Sequence, residues 1–201
     1  MSTTHSSTPR PAPEQSRLPI ARRLAQRMPL HALTVVGGFV SAWVLRHAPG
    51  LEPGQSAGAD LLRYVPILVG LGANVGVQSS TILVRAFATG EIERERMPRV
   101  VASEIAVGAL TGTICGLACA LFVGLAEGGA EHAWRLACAV GLALQLALTW
   151  AGCVGCAVPL SFRRFGVDPA IAAGPALIVL SDVGAAALLV LAARSQSWLG
   201  S

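Results

Sequence analysis

Between residues 100 and 125 the chain carries one charged side chain, Glu104, and between residues 170 and 193 again only one, Asp182. A bilayer's hydrocarbon core is crossed by about 20 predominantly apolar residues, and within it every backbone N–H and C=O must find its partner inside the helix. Runs of this length leave membrane-crossing helices as the structure such a chain can adopt. Three further stretches, 30–45, 61–87 and 134–160, follow the same pattern, so five spans are predicted in an all-α polytopic membrane protein. The charged fraction of 13% agrees, against roughly 25% in a soluble domain.

All fifteen basic residues are arginines, and they lie between the apolar runs with no aromatic-rich basic face, so the net charge of +4 does not point to nucleic acid. Arg10, Arg17, Arg22, Arg23, Arg27, Arg85, Arg94, Arg96, Arg99, Arg163 and Arg164 flank one side of the predicted spans. Arg46, Arg63, Arg135 and Arg194 flank the other. That bias sets the N-terminus in the cytoplasm and the C-terminus outside the cell membrane. Residues 1–26 form a predicted cytoplasmic tail. It is expected to be disordered through Pro13 and then a short basic amphipathic helix, with Leu18, Ile20 and Leu24 toward an anionic lipid face. Pro29 and the arginine cluster argue against a cleavable signal, and no extramembrane stretch has the length of a catalytic or sensory domain.

Residues 66–91 form an apolar segment interrupted in its middle by Gly72, Asn74, Gly76 and Gln78. Glycines beside amide side chains at membrane depth suggest a loosened helix whose backbone faces a water-filled cavity or another helix. Gly108, Gly112 and Gly116 repeat at intervals of four in the third span, the ordinary spacing of close helix packing. Asp182 stands midway along the fifth span with no arginine in the apolar parts of the other spans to pair with it. A charge at that depth needs a cation, a partner or water. Glu104 sits about a turn from Arg99, where an interfacial salt bridge and a pathway role account for it equally well.

Cys153-Val-Gly-Cys156 lies inside apolar sequence among Gly and Ala, where cysteine packs as a small hydrophobe. No four clustered ligands suggest zinc. The four histidines share no spacing, and no nucleophile elbow, phosphate loop or His-Glu-Xaa-Xaa-His pattern occurs, so an enzyme is not expected. The polar groups at depth are carboxylate, amide oxygen, hydroxyl and glycine-released carbonyl. Hard oxygens of this kind favour magnesium, calcium or manganese. With so few carboxylates per chain, a hydrated magnesium ion held through its waters by two symmetry-related aspartates is the arrangement of lowest cost, and it requires a dimer.

The sequence Gly72-Ala-Asn74-Xaa-Gly76-Xaa-Gln78-Ser79, with Val84-Arg85-Ala86 and Gly90-Glu91-Ile92 after it, resembles the second transmembrane helix of MgtE-type magnesium channels. Gly166-Val-Asp168-Pro169-Ala170, then Gly174-Pro175 and Asp182, resembles the entry to that family's fifth helix with its ion-binding aspartate. Arg27-Met-Pro29-Leu30 and Arg99-Val-Val-Ala-Ser-Glu104 add weaker echoes. The resemblance implies an MgtE-like five-helix transmembrane domain over 27–201 and a homodimer with a pore along its axis, lined by the second and fifth helices. It further implies magnesium as the transported ion, held in hydrated form by Asp182, with Asn74 facing the conduction path. Gly72, Gly76 and Gln78 would line or support the pore, and Glu104 would assist the cytoplasmic exit.

Three departures stand out. Ala73 takes the place of the second glycine before the asparagine, Ile178-Val179 replaces a threonine pair, and the cytosolic sensing regions usual in the family are not seen. Closure by cytosolic magnesium is therefore not expected, which leaves a place for a separate soluble regulatory partner. The alternative functions are a transporter for manganese, cobalt or another divalent metal, an exporter, and a non-conducting membrane subunit that regulates a partner.

Overall fold

The computed structural model describes residues 19–46, 57–89, 96–128 and 131–198, and every element among them is helical. In chain order these are α1 (Ile20–Arg46), α2 (Ala57–Leu62), α3 (Val65–Thr89), α4 (Met97–Ala126), α5 (Glu131–Arg164) and α6 (Pro169–Trp198). The predicted disordered tail through Pro13 and the Gly90-Glu91-Ile92 motif lie outside the described residues.

Three stretches, Asp60–Thr89, Met97–Ala126 and Glu131–Arg164, are long and apolar enough to cross a membrane, and Ala176–Ala192 adds a shorter apolar helix. The surface pattern agrees with a lipid surround. Leu110, Ile114, Leu117, Leu121 and Leu125 recur at helical spacing along one face of α4 and are exposed, Leu117 to 68%. A row of that kind is unfavourable in water and ordinary against acyl chains. The described chain is thus the bundle of a multi-pass α-helical membrane protein.

α5 is the central helix, packed against α2, α3, α4 and α6, while α1 lies on α3 and α4. Small residues set the spacing between these helices. A methyl group added at Gly108, Gly112 or Gly116 of α4 would come within 2.6–2.9 Å of Leu148 O, Gln145 O or Gly141 O of α5. The glycine repeat therefore does what its spacing predicts, letting two backbones approach without side chains between them. Thr113 Oγ1 also donates to Gln145 Oε1 at 2.9 Å across the same contact.

Two features of the chain differ from expectation. Gly70, Gly72 and Gly76 do not break α3, which is continuous from Val65 to Thr89, so no backbone carbonyl is released there by a gap in the helix. Residues Ile20 to Met28 do not form a separate helix, since α1 runs through Pro29 into the first apolar run. A proline inside a helix costs about 3 kcal/mol. The segment ahead of it is pinned because Arg23 and Arg27 turn inward and pair with Glu104 of α4.

Candidate functional site

Where α3, α5 and α6 converge, Gly76 forms the contact. A methyl group there would lie 3.2 Å from Ser181 Oγ, 3.3 Å from Leu177 Cδ1 and 3.5 Å from Ala151 O. Gly155 of α5 approaches the same point, since its added methyl would lie 2.6 Å from Gly76 O. Gly72, one turn away on the same face of α3, is buried but has nothing within 4 Å of where a side chain would start. The two glycines thus play different parts: Gly76 seats α5 and α6, and Gly72 leaves open space beside α3.

Asp182 follows Ser181 on α6. The buried stripe of this helix runs through Leu177, Ser181, Ala185 and Leu189, while Val179, Val183 and Val190 are exposed. Successive residues turn by about 100°, so Asp182 falls on the flank of the buried stripe, toward the open side. Its Oδ1 is buried and has no hydrogen-bond partner among the described residues. On the other flank, Trp150 Nε1 of α5 donates to Leu180 O at 3.0 Å, and the indole lies over Gly184. That contact fixes the rotation of α6 and with it the direction of the carboxyl group.

Asn74 lies on a different face of α3 from Gly76. Its Nδ2 donates to Thr34 Oγ1 of α1 at 2.7 Å, beside the close approach of Thr34 to Gly70. With the amide nitrogen committed, the carbonyl oxygen is the end left for another partner. Gln78, one turn further along, has a buried Oε1 without a hydrogen-bond partner among the described residues.

Glu104 has a wholly different environment. It is 0% exposed, and three donors fill its carboxylate: Arg23 at Oε1, Arg27 Nη2 at Oε2 (3.0 Å) and Ser79 Oγ at Oε2 (3.0 Å). The partner is not Arg99, one turn away in sequence, but two arginines about 80 positions upstream. The two guanidinium groups share this one carboxylate inside the bundle. Arginine stays charged there. The pairing was not legible in the sequence, where these arginines count only as topology signals. One sign was available: Arg23 and Arg27 are four apart and so share a helix face.

At the opposite end of the bundle Arg63 bridges Asp60 and Glu127, and Tyr64 OH donates to the same Glu127 oxygen at 3.2 Å. The cysteines stand apart from these groups, with Cys115, Cys119 and Cys156 buried in packing positions. Among the described residues no three His, Cys, Asp or Glu side chains converge as metal ligands. Among the described residues, hard oxygens thus lie along α3 and α6, and Asp182 is the carboxylate with a buried oxygen left unsatisfied.

Residues 65–192, from the start of α3 nearly to the end of α6, match the family model described as MgtE, divalent cation transporter. The chain is 34% identical to the magnesium transporter MgtE of Thermus thermophilus over 88% of its own length and 37% of that protein's. It is 30% identical to the protein of the same name from Enterococcus faecalis, over 64% of this chain and 27% of the relative. For the Bacillus subtilis protein the identity is 25%, over 79% and 34%. The chain thus spans about a third of the length of the relatives it matches. From the helical bundle with its oxygen-lined α3 and α6, and from a match that covers both, it follows that this chain belongs to the MgtE family of divalent cation transporters.

Proposed function

We propose that the chain is a homodimeric channel or facilitated transporter that carries divalent cations, magnesium foremost, across the cell membrane. Its five spans would be α1, α3, α4, α5 and α6, with the N-terminus in the cytoplasm, the C-terminus outside and the pore on the dimer axis. The observation that carries this reading is Asp182. Its carboxylate stands midway along an apolar helix, with a buried oxygen that no described group satisfies. Leaving a charge at that depth unpaired costs several kcal/mol, and a cation delivered along the axis removes the cost.

The open face of α6, with Val179 61% and Val183 64% exposed, adjoins this carboxyl group, and Val77 and Thr81 of α3 are exposed as well. A second copy covering those faces sets two Asp182 carboxylates across one axis. Two negative charges match one divalent ion, and magnesium's reluctance to shed water lets the pair act through its hydration shell. In this arrangement Asn74 offers its carbonyl oxygen to the ion's water, Gly72 keeps space open beside it, and Gln78 continues the polar lining. Glu104, already filled by three donors, serves the scaffold. Entry needs no further energy source: about 4.6 kcal/mol is released per divalent ion for each 100 mV of inside-negative potential.

The test is magnesium flux into liposomes holding the purified protein alone, read by a trapped indicator, with Asp182→Ala and Asp182→Asn in parallel. Flux abolished by both variants, which remain dimeric by light scattering, supports the reading. Flux that survives either one overturns the role of Asp182. Competition by manganese and cobalt ranks the cations. Folded dimers that pass no ion would favour the regulatory subunit instead.

A further inference from the structure

A cavity of about 240 Å³ lies between the start of α1 and the middle of α3, lined by Arg23, Gln26, Arg27, Val77, Gln78, Thr81 and Ile82. Asp182 is not part of it. Two arginines share one counter-charge here. Glu104 takes one donor on Oε1 and two on Oε2, so its carboxylate is occupied. Arg27 Nη1 and Arg23 Nε remain buried with no hydrogen-bond partner among the described residues, in side chains only 9% and 3% exposed. The group of Arg23, Arg27 and Glu104 therefore carries one surplus positive charge in a weakly polarisable surround.

Water in the cavity would satisfy the orphaned N–H groups but would not balance the charge, and an unbalanced buried charge is expensive. The space equals about eight waters at the ~30 Å³ of each, which holds a phosphate-sized group with part of its hydration. Guanidinium forks bind phosphate oxygens more strongly than neutral donors do. Gln26, Gln78 and Thr81 add neutral polar groups around the same space.

We infer that this cavity binds a phosphate-type oxyanion, held by Arg27 and Arg23 and supplied either by the headgroup of an anionic lipid or by free phosphate. A lipid source is compatible with the apolar Val77 and Ile82 of the wall, and a free anion with the polar remainder. Occupation completes the charge balance of α1 against α3 and α4. Asp182 is not among the residues of this site, although Gln78 of its wall also belongs to the proposed pore lining.

The experiment uses the purified full chain in two arms. In one, inorganic phosphate is titrated into protein in a neutral detergent and the unfolding midpoint is followed. In the other, protein in phosphatidylcholine nanodiscs with and without phosphatidylglycerol is examined for retained lipid by native mass spectrometry. A saturable rise in midpoint assigns free phosphate, and retained phosphatidylglycerol assigns a headgroup. Arg27→Gln is expected to weaken whichever is found by about tenfold or more. Because Arg27 also holds Glu104, Gln78→Glu provides the second variant. It places a carboxylate on the facing wall, leaves Arg23, Arg27 and Glu104 themselves unaltered, and is expected to abolish binding without lowering the midpoint. If Arg27→Gln does not fold, Gln78→Glu decides alone. No binding of either probe by the wild-type chain overturns the inference, as does binding that Gln78→Glu leaves unchanged.

Discussion

Replacing Glu104 by Gln keeps the shape of the side chain and removes its charge, which takes from Arg23 and Arg27 the carboxylate that holds them against α4. At the 3.0 Å separation of the Arg27 pair, an effective dielectric of about 20 gives a gross attraction of roughly 5–6 kcal/mol. Desolvation of the two ions offsets most of that in the intact protein, so the net worth of the pair is small. Breaking it is another matter, since the arginines keep their desolvation cost and lose its compensation. The expected loss is about 3–5 kcal/mol for Glu104→Gln. Ser79→Ala, which removes a single donor to the carboxylate, is expected to lose about 1.5–3 kcal/mol.

The assay is unfolding of the purified protein in mixed micelles, followed by circular dichroism. The same reasoning demands an asymmetry: the triple variant Arg23→Met/Arg27→Met/Glu104→Met, which removes every charge together, should lie within about 1–2 kcal/mol of wild type. A Glu104→Gln protein as stable as wild type would refute the argument, and so would a triple variant less stable than the single one.

Other outcomes follow from the same geometry. Gly116→Ala brings a methyl group to 2.6 Å from Gly141 O and is expected to cost about 1–3 kcal/mol by forcing α4 from α5, whereas Gly72→Ala, with nothing within 4 Å, should fold as wild type; thermal unfolding of the two checks the contrast. Thr34→Val removes the acceptor that orients the Asn74 amide, so liposome flux should fall while stability changes by only about 1 kcal/mol. Arg63→Met leaves the carboxylates of Asp60 and Glu127 without their shared guanidinium and should destabilise the bundle by about 3–5 kcal/mol in the same micelle assay.

The helices and their packing were legible where one-dimensional signals suffice. Apolar runs fix which segments are helical, and the four-residue glycine repeat of α4 fixes a close contact without naming its partner, Gln145 and its neighbours on α5. What could not be read was the partner of each polar group, because that depends on how distant segments pack. Arg99 is near Glu104 in sequence, yet Arg23 and Arg27 hold it. Asn74 and Gly76 belong to one motif but face nearly opposite ways, since two residues turn a helix by about 200°. The motif therefore distributes its residues among α1, α4 and the α5–α6 contact, with Gly72 beside open space and Gln78 on the wall of the α1–α3 cavity.

On the proposed reading, saturation, and not depth or charge alone, separates scaffold from site in the two deep carboxylates. Glu104 is the more buried, but a cation approaching it would meet two guanidinium groups and find both oxygens occupied. Asp182 is less buried, has no ion pair among the described residues and keeps an unsatisfied oxygen on the flank of an open helix face. A passing ion must be bound weakly enough to leave, which a carboxylate acting through water permits and a saturated one never begins. Two variants should therefore fail in opposite ways. Glu104→Gln should lose stability out of proportion to any change in flux per folded dimer, and Asp182→Asn should lose flux with little change in stability. If the two losses were exchanged, the assignment of scaffold and site would be reversed.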